Sequence, residues 1–211
     1  MKKVPFDLSL YLVTEESLAV EDMTTIITEA VSGGVTAVQL REKQASSLTF
    51  YQKASLLKGV LDELSIPLII NDRVDIALAV GADGIHVGQD DLPLPIIKTL
   101  VPDNMIIGVS VSTLEEALEA ENNGADYIGV GSVFPTKTKQ DATALKKGEL
   151  ERICHSTSIP AVAIGGITAD NINRLSKSGI AGAAVVSAIT QAKNPMDAAT
   201  LLSYTIKRFT N

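Results

Sequence analysis

One cysteine, Cys154, stands in a chain of 211 residues, so no disulfide can close within it. Only two histidines, His86 and His155, accompany it, too few for a usual zinc cluster. No run of eighteen apolar residues occurs, which removes a membrane-spanning helix from the expectation. The start, Met1-Lys2-Lys3, is positive, but Asp7 interrupts the apolar stretch that follows and no small-residue cleavage pattern appears, so a secretory signal is not expected and the cytoplasm is. A formal charge of −7 disfavours a nucleic-acid partner, and any anionic ligand must be held by local positive charge. Self-association into a homo-oligomer is left open by the sequence.

What is present is a globular balance, 45% apolar and 20% charged, in a chain long enough for one sizeable core. Short β-rich runs alternate with longer helical patterns from end to end, and no Pro/Ser/Gly-rich linker separates two halves. The runs read as strands are Ser9–Thr14, Thr36–Leu40, Pro67–Asn71, Gly84–Val87, Ile106–Ser110, Tyr127–Gly131, Ala161–Ile164 and Ala183–Val186. Most are continuously apolar, as expected where helices cover a parallel sheet. Gly34, Gly81, Gly124 and Gly179 each precede a strand closely and suit left-handed helix ends. Eight βα units predict an α/β fold, a single-domain (β/α)₈ TIM barrel over residues 1–211. An open doubly wound sheet is the alternative, but no Gly-x-Gly-x-x-Gly follows the first strand.

In such a barrel chemistry sits just beyond the C-terminal ends of the strands, and here those positions are polar. Gln39, Arg41 and Lys43 are spaced by two, so a strand continuing through them turns all three to the barrel mouth, where Arg and Lys suit a diphosphate. A solvated loop is the competing reading. Asn71-Asp72 closes the third strand and Asp91 follows the fourth; two acids on neighbouring strand ends fit Mg²⁺, which takes one or two carboxylates and leaves its other positions to water and phosphate. Singly, Asp72 could cap a helix near Val74 and Asp91 one near Pro93. His86 reads as a buried, hydrogen-bonded strand residue rather than a ligand. The long stretch after strand six, with Thr136, Thr138 and Lys139, reads as a binding loop or lid, against a mobile surface loop. Gly165-Gly166 and Val186-Ser187 close strands seven and eight, where barrels bind phosphomonoesters on backbone N–H groups. Tight-turn glycines are the plainer alternative.

The segments Tyr11-Leu-Val-Thr14, Gln39-Leu-Arg-Glu-Lys43, Ile70-Asn-Asp-Arg73, Gly84-Ile-His-Val-Gly-Gln-Asp-Asp91, Gly129-Val-Gly-Ser-Val-Phe-Pro-Thr-Lys-Thr-Lys139 and Ala163-Ile-Gly-Gly-Ile167 together resemble the thiamine-phosphate synthase family, from about residue 11 to residue 189. The resemblance implies that Gln39, Leu40, Arg41, Glu42, Lys43, Asn71, Ser110 and Lys139 contact an aminopyrimidine diphosphate. It implies that Asp72 and Asp91 hold magnesium, and that Thr136, Lys137, Thr138, Gly166, Val186 and Ser187 contact a thiazole phosphate. Arg41, Lys43, Ser110 and Lys139 are then the catalytic set. Two positions depart from the family pattern: Ser132 stands where proline is expected, and Ser112 where many relatives place histidine. The implied reaction is a dissociative substitution that needs no strong base, in keeping with a rim that has no Ser-His or Cys-His pair. A thiazole tautomerase relative, another phosphate-binding barrel such as a sugar-phosphate epimerase or aldolase, and a non-catalytic phosphate-ligand sensor are the rivals. Ser112 counts against the first, the lack of an acid–base pair or Schiff-base lysine against the second, and the metal acids with Lys139 against the third.

Overall fold

Eight parallel strands close on one another in chain order in the computed structural model, which describes residues 6–16, 18–136 and 144–210. The order is β1 (Leu10–Val13), α1 (Val20–Ser32), β2 (Ala37–Leu40), α2 (Ser47–Glu63), β3 (Leu68–Asn71), α3 (Val74–Val80), β4 (Gly84–Val87), α4 (Leu94–Leu100), β5 (Ile106–Val111), α5 (Leu114–Asn122), β6 (Tyr127–Gly131), α6 (Glu149–Ser156), β7 (Ala161–Ile164), a 3₁₀ turn (Ile172–Leu175), β8 (Gly182–Val185), α7 (Ser187–Thr190) and α8 (Pro195–Thr210). This is the expected (β/α)₈ barrel, with no strand end shifted by more than one residue. Val186 falls outside β8, and the 3₁₀ turn stands where a helix would usually join β7 to β8.

The barrel has two apolar layers. Side chains alternating along each strand point either to the helices or to the barrel axis. Leu12, Leu40, Ile70, Ile85, Ile107 and Ile128 pack outward with Phe50, Leu57 and Ile97 of the helices. Tyr11, Ala37, Ile69, Ile106, Tyr127, Val162 and Ala184 form a second, inner cluster. Two residues beyond Ala37 and Ile69 come Gln39 and Asn71, and four beyond Ile106 comes Ser110, so the same parity carries polar side chains to the mouth of the barrel.

Glycine turns lead into four of the strands, β2, β4, β6 and β8. Gly81 caps α3 at φ 64°, a left-handed turn that glycine adopts without a Cβ clash, and Gly34, Gly124 and Gly179 also have positive φ. At the start of α5, Thr113 accepts from the Glu116 N–H while the Glu116 side chain reaches back, a reciprocal capping box.

Candidate active site

At the mouth, β2 ends at Leu40, so Arg41 and Lys43 lie in the loop rather than on a continued strand. The side chains at 39–43 nonetheless separate by parity. Gln39 is buried inside the barrel, whereas Leu40 packs in the outer layer and Glu42 is paired with Lys53 of α2 at 2.8 Å. Leu40 and Glu42, expected among the ligand contacts, therefore have their side chains turned away from the mouth. Arg41 is half-buried, its N–H donating to the Thr14 hydroxyl at 3.0 Å. Lys43 crosses to the neighbouring strand end and pairs with Asp72.

Asp72 has φ 62°, an uncommon conformation for a residue with a side chain but one aspartate tolerates, and its N–H donates to the His86 carbonyl at 2.8 Å. It caps no helix: α3 starts after Arg73, without a side-chain cap. Asp91 caps none either, since Pro93 precedes α4 and the Asp91 carboxylate instead accepts from the Gly88 N–H at 2.7 Å. Burial pushes the Asp91 carboxyl above the usual carboxylate range; the Gly88 N–H opposes this, the adjoining Asp72 carboxyl adds to it, and Lys43 opposes it. Two carboxyls thus face each other across the ends of β3 and β4 with one ammonium beside them. No group of three or more His, Cys, Asp or Glu suited to a metal occurs among the described residues.

Inside the mouth runs a chain of four hydrogen bonds, each 2.9 Å long. Gln39 Nε2 donates to Tyr11 Oη, Tyr11 Oη bonds Tyr127 Oη, Tyr127 Oη bonds His86 Nδ1, and His86 Nε2 bonds Ser110 Oγ. His86 is the buried, bonded strand residue that its sequence context suggested. The rings fit because glycines stand opposite: a Cβ on Gly108 would lie 2.2 Å from Tyr127 Cζ and 2.5 Å from His86 Nδ1. Beside this chain the Asn71 amide nitrogen is buried with no hydrogen-bond partner, the one such side-chain atom among the described residues. An unsatisfied buried amide is costly and suits a site that receives a polar ligand.

The other arc is built from the ends of β6, β7 and β8. After β6, with its Gly131–Ser132 peptide cis, the chain keeps pairing with β7: Val133 N–H donates to Ile164 O at 2.9 Å and Phe134 N–H to Gly165 O at 3.0 Å. Ser132 is buried and donates to Phe134 O at 2.6 Å. Gly165 and Gly166 have φ 104° and 63°, and a Cβ on Gly166 would meet Pro135 O at 2.4 Å. Asn171 holds this turn, donating to Gly166 O and accepting from Thr168 N–H, both at 2.8 Å. Val186 precedes α7, with Ser187 exposed at its start, and Glu15 accepts from Thr190 and Gln191 to tie that helix to the end of β1. Thr136 is half-buried at the same rim, while Lys137, Thr138 and Lys139 lie outside the described residues. Ser112, the position of interest for a tautomerase, has its hydroxyl and N–H bound to Glu116 at 3.0 and 2.6 Å.

Sequence reasoning brought Gln39, Lys43, Asn71, Asp72, Asp91 and Ser110 to the mouth but passed over Tyr11, Tyr127 and Asn171 as site residues. The two tyrosines carried a weak signal, a hydroxyl-bearing ring in an otherwise aliphatic strand.

A family model described as thiamine monophosphate synthase matches residues 10–189, a span that includes all eight strands and the loop after each. The chain is 52% identical over 189 residues to a thiamine-phosphate synthase of Methanobrevibacter smithii, covering 90% of each chain, and 51% identical over 202 residues to one of Alkaliphilus oremlandii, covering 95% of this chain and 97% of that one. A solved thiamine phosphate pyrophosphorylase from Pyrococcus furiosus superposes with a TM-score of 0.88 at 41% identity, covering 97% of this chain and 98% of the other. A 3-hexulose-6-phosphate synthase, at 17% identity and a TM-score of 0.69, shares the fold alone. With half of its residues shared with such relatives over nine-tenths of its length, this chain belongs to the thiamine monophosphate synthase family.

Proposed function

We propose that this chain is a thiamine-phosphate synthase, a transferase that condenses 4-amino-2-methyl-5-pyrimidinylmethyl diphosphate with 4-methyl-5-(2-phosphoethyl)thiazole. The observation that carries the reading is the family match, which takes in every strand and every loop of the rim. The C–O bond to diphosphate breaks with its electron pair leaving on diphosphate, and the thiazole nitrogen's lone pair forms the new C–N bond at the ring methylene. No proton has to move, which suits a mouth whose histidine is already tied at both nitrogens.

The chain's own residues divide between two arcs. Gln39, Asn71 and Ser110 receive the pyrimidine, and the buried, unpartnered Asn71 amide is an observation in support. Arg41, Lys43 and Lys139 would supply the charge for the departing diphosphate, where positive charge aimed at developing anion is worth most. Thr136, Lys137, Thr138, Gly166, Val186 and Ser187 take the thiazole phosphate. The two reactants are thereby held on one rim, which replaces a bimolecular encounter by an oriented one.

Asp72 and Asp91 would hold magnesium. Their fit rests on the donor set: two facing carboxylates, oxygen ligands only, one of them held above its ordinary pKa by burial and by a like-charged neighbour that a cation would offset. Bound there, magnesium supplies charge neutralisation on diphosphate oxygens. The same proposal takes residues 1–211 as one barrel domain working in the cytoplasm; no helix among the described residues is long and apolar enough to cross a membrane.

Diphosphate release from the two substrates with magnesium tests the reading. We expect turnover that stops with excess chelator, returns with magnesium, and falls by roughly 10²-fold or more in Asp72→Ala and Asp91→Ala. Full activity in chelator, or in the double variant, overturns the metal assignment. No diphosphate release with both substrates and magnesium overturns the function.

A further inference from the structure

The chain Gln39–Tyr11–Tyr127–His86–Ser110 draws on β2, β1, β6, β4 and β5, and its hydrogens can be counted. Both tyrosines are 1% exposed, and burial holds their hydroxyls well above the ordinary tyrosine pKa, so each keeps its single proton. The Gln39 nitrogen donates to Tyr11 Oη, and because a buried hydroxyl proton without an acceptor is costly, the arrangement that uses every proton sends the Tyr11 proton to Tyr127 Oη and the Tyr127 proton to His86 Nδ1. A neutral imidazole that accepts at Nδ1 carries its proton on Nε2 and donates it to Ser110 Oγ. The Ser110 proton then has no acceptor among the described residues. At the other end, no hydrogen bond from the described residues reaches Gln39 Oε1. The opposite amide orientation reverses every link, since a single link turned alone would leave one buried hydroxyl proton without an acceptor.

We propose that this chain is a directional hydrogen-bond relay that makes the site read the donor and acceptor pattern of a ring, with Tyr11 and Tyr127 as its positioning residues. It offers an acceptor at Gln39 and a donor at Ser110. A 4-aminopyrimidine, with a donating amino group and accepting ring nitrogens, complements that pair; a 4-oxopyrimidine, with an accepting oxygen and a donating ring N–H, does not. The proposal rests on the reading that Gln39 and Ser110 meet the pyrimidine. It adds that the selectivity is set from within the barrel, by side chains that need not touch the ring.

The test uses the full chain labelled with ¹⁵N in its histidine rings. His86 and His155 are the only two, and His155 Nδ1 faces the Glu151 carbonyl at 2.6 Å, so that ring, when neutral, must donate from Nδ1. The two histidines should show opposite tautomers in one spectrum at a pH where both rings are neutral, with His86 protonated on Nε2. Tyr127→Phe should abolish the His86 preference. The hydroxymethyl forms of the 4-amino and 4-oxo rings, titrated by calorimetry, give the second readout. The wild type should favour the amino ring, and Tyr127→Phe and Tyr11→Phe should each reduce that preference by roughly five-fold, the worth of one ordinary hydrogen bond, with thiazole-phosphate affinity unchanged. An Nδ1-protonated His86 in the wild type overturns the direction of the relay. Loss of the tautomer in Tyr127→Phe with unchanged ring preference in both variants overturns its role in selectivity. A wild type that shows the expected tautomer but binds neither ring overturns instead the placing of the pyrimidine on Gln39 and Ser110, and with it the selectivity, while supporting the relay.

Discussion

Glu42 lies in a run of five residues that the family resemblance assigns to the site, yet its carboxylate is buried beneath α2 and bound by Lys53. Burial raises its pKa, against the hydrogen bond and charge of Lys53. A pair so placed contributes little net stability relative to two apolar residues, but removing one partner strands the other. Lys53→Met should therefore cost about 3 kcal/mol near neutral pH. The sign of the pH dependence follows from the raised pKa: the folded state holds the Glu42 proton more tightly than the unfolded chain does. The deficit of the variant should shrink as the pH falls through the folded pKa toward the unfolded value, and be largest above it. Urea midpoints at several pH values check this, and a deficit that grows in acid would contradict it. Turnover at neutral pH should persist wherever the variant remains folded, since the Glu42 side chain points away from the mouth.

The turn after β7 shows how an element carries a site without supplying a side chain to it. Asn171 bridges both sides of the Gly166 turn with one amide, so Asn171→Ala should loosen the phosphate arc while leaving the strands intact. The expected result is a KM for thiazole phosphate raised roughly five-fold, from one to two lost hydrogen bonds, with the KM for the pyrimidine diphosphate unchanged. Equal change in both would mean the arcs are not separate. A bulkier residue at Gly166 itself is a poorer probe, because its Cβ would strike Pro135 O and disturb the loop from β6. The strands, their glycine-marked starts and the polar strand ends were legible in the sequence because each has a local cause: apolar runs, left-handed caps, charge at a rim. Which face a strand residue occupies was less legible. In strands covered on both faces the apolar run is continuous and the period of two vanishes, so Tyr11 and Tyr127 look like any other core residue. Leu40 and Glu42 entered with the family resemblance, whereas the spacing by two had already set Gln39, Arg41 and Lys43 apart from them. Asn171 was hidden because its role depends on a turn closed by tertiary contacts.

Across the whole molecule, the outer apolar layer joins strands to helices, and the inner one is a column of side chains shared among strands far apart in sequence. In that column Gly108, on β5, touches Tyr127 of β6 and His86 of β4 so closely that their shapes are set together. Gly108→Ala alone should overpack the interior, at about 1–3 kcal/mol. In a Tyr127→Leu background, where the ring atoms nearest that Cβ are gone, the cost should be smaller by at least roughly 0.5 kcal/mol, measured as the coupling in a double-mutant cycle. Strict additivity would show that the contact is not what excludes the methyl group. The consequence reaches into the history open to such a chain. At this level of the barrel an exchange of glycine is costly while the tyrosine stands, and becomes less harmful after it has gone, so the order in which the two positions drift is biased. Strands joined only around the outside of the barrel, through a helix, would inherit their inner substitutions as a linked set, and the easier paths run through the larger residue first.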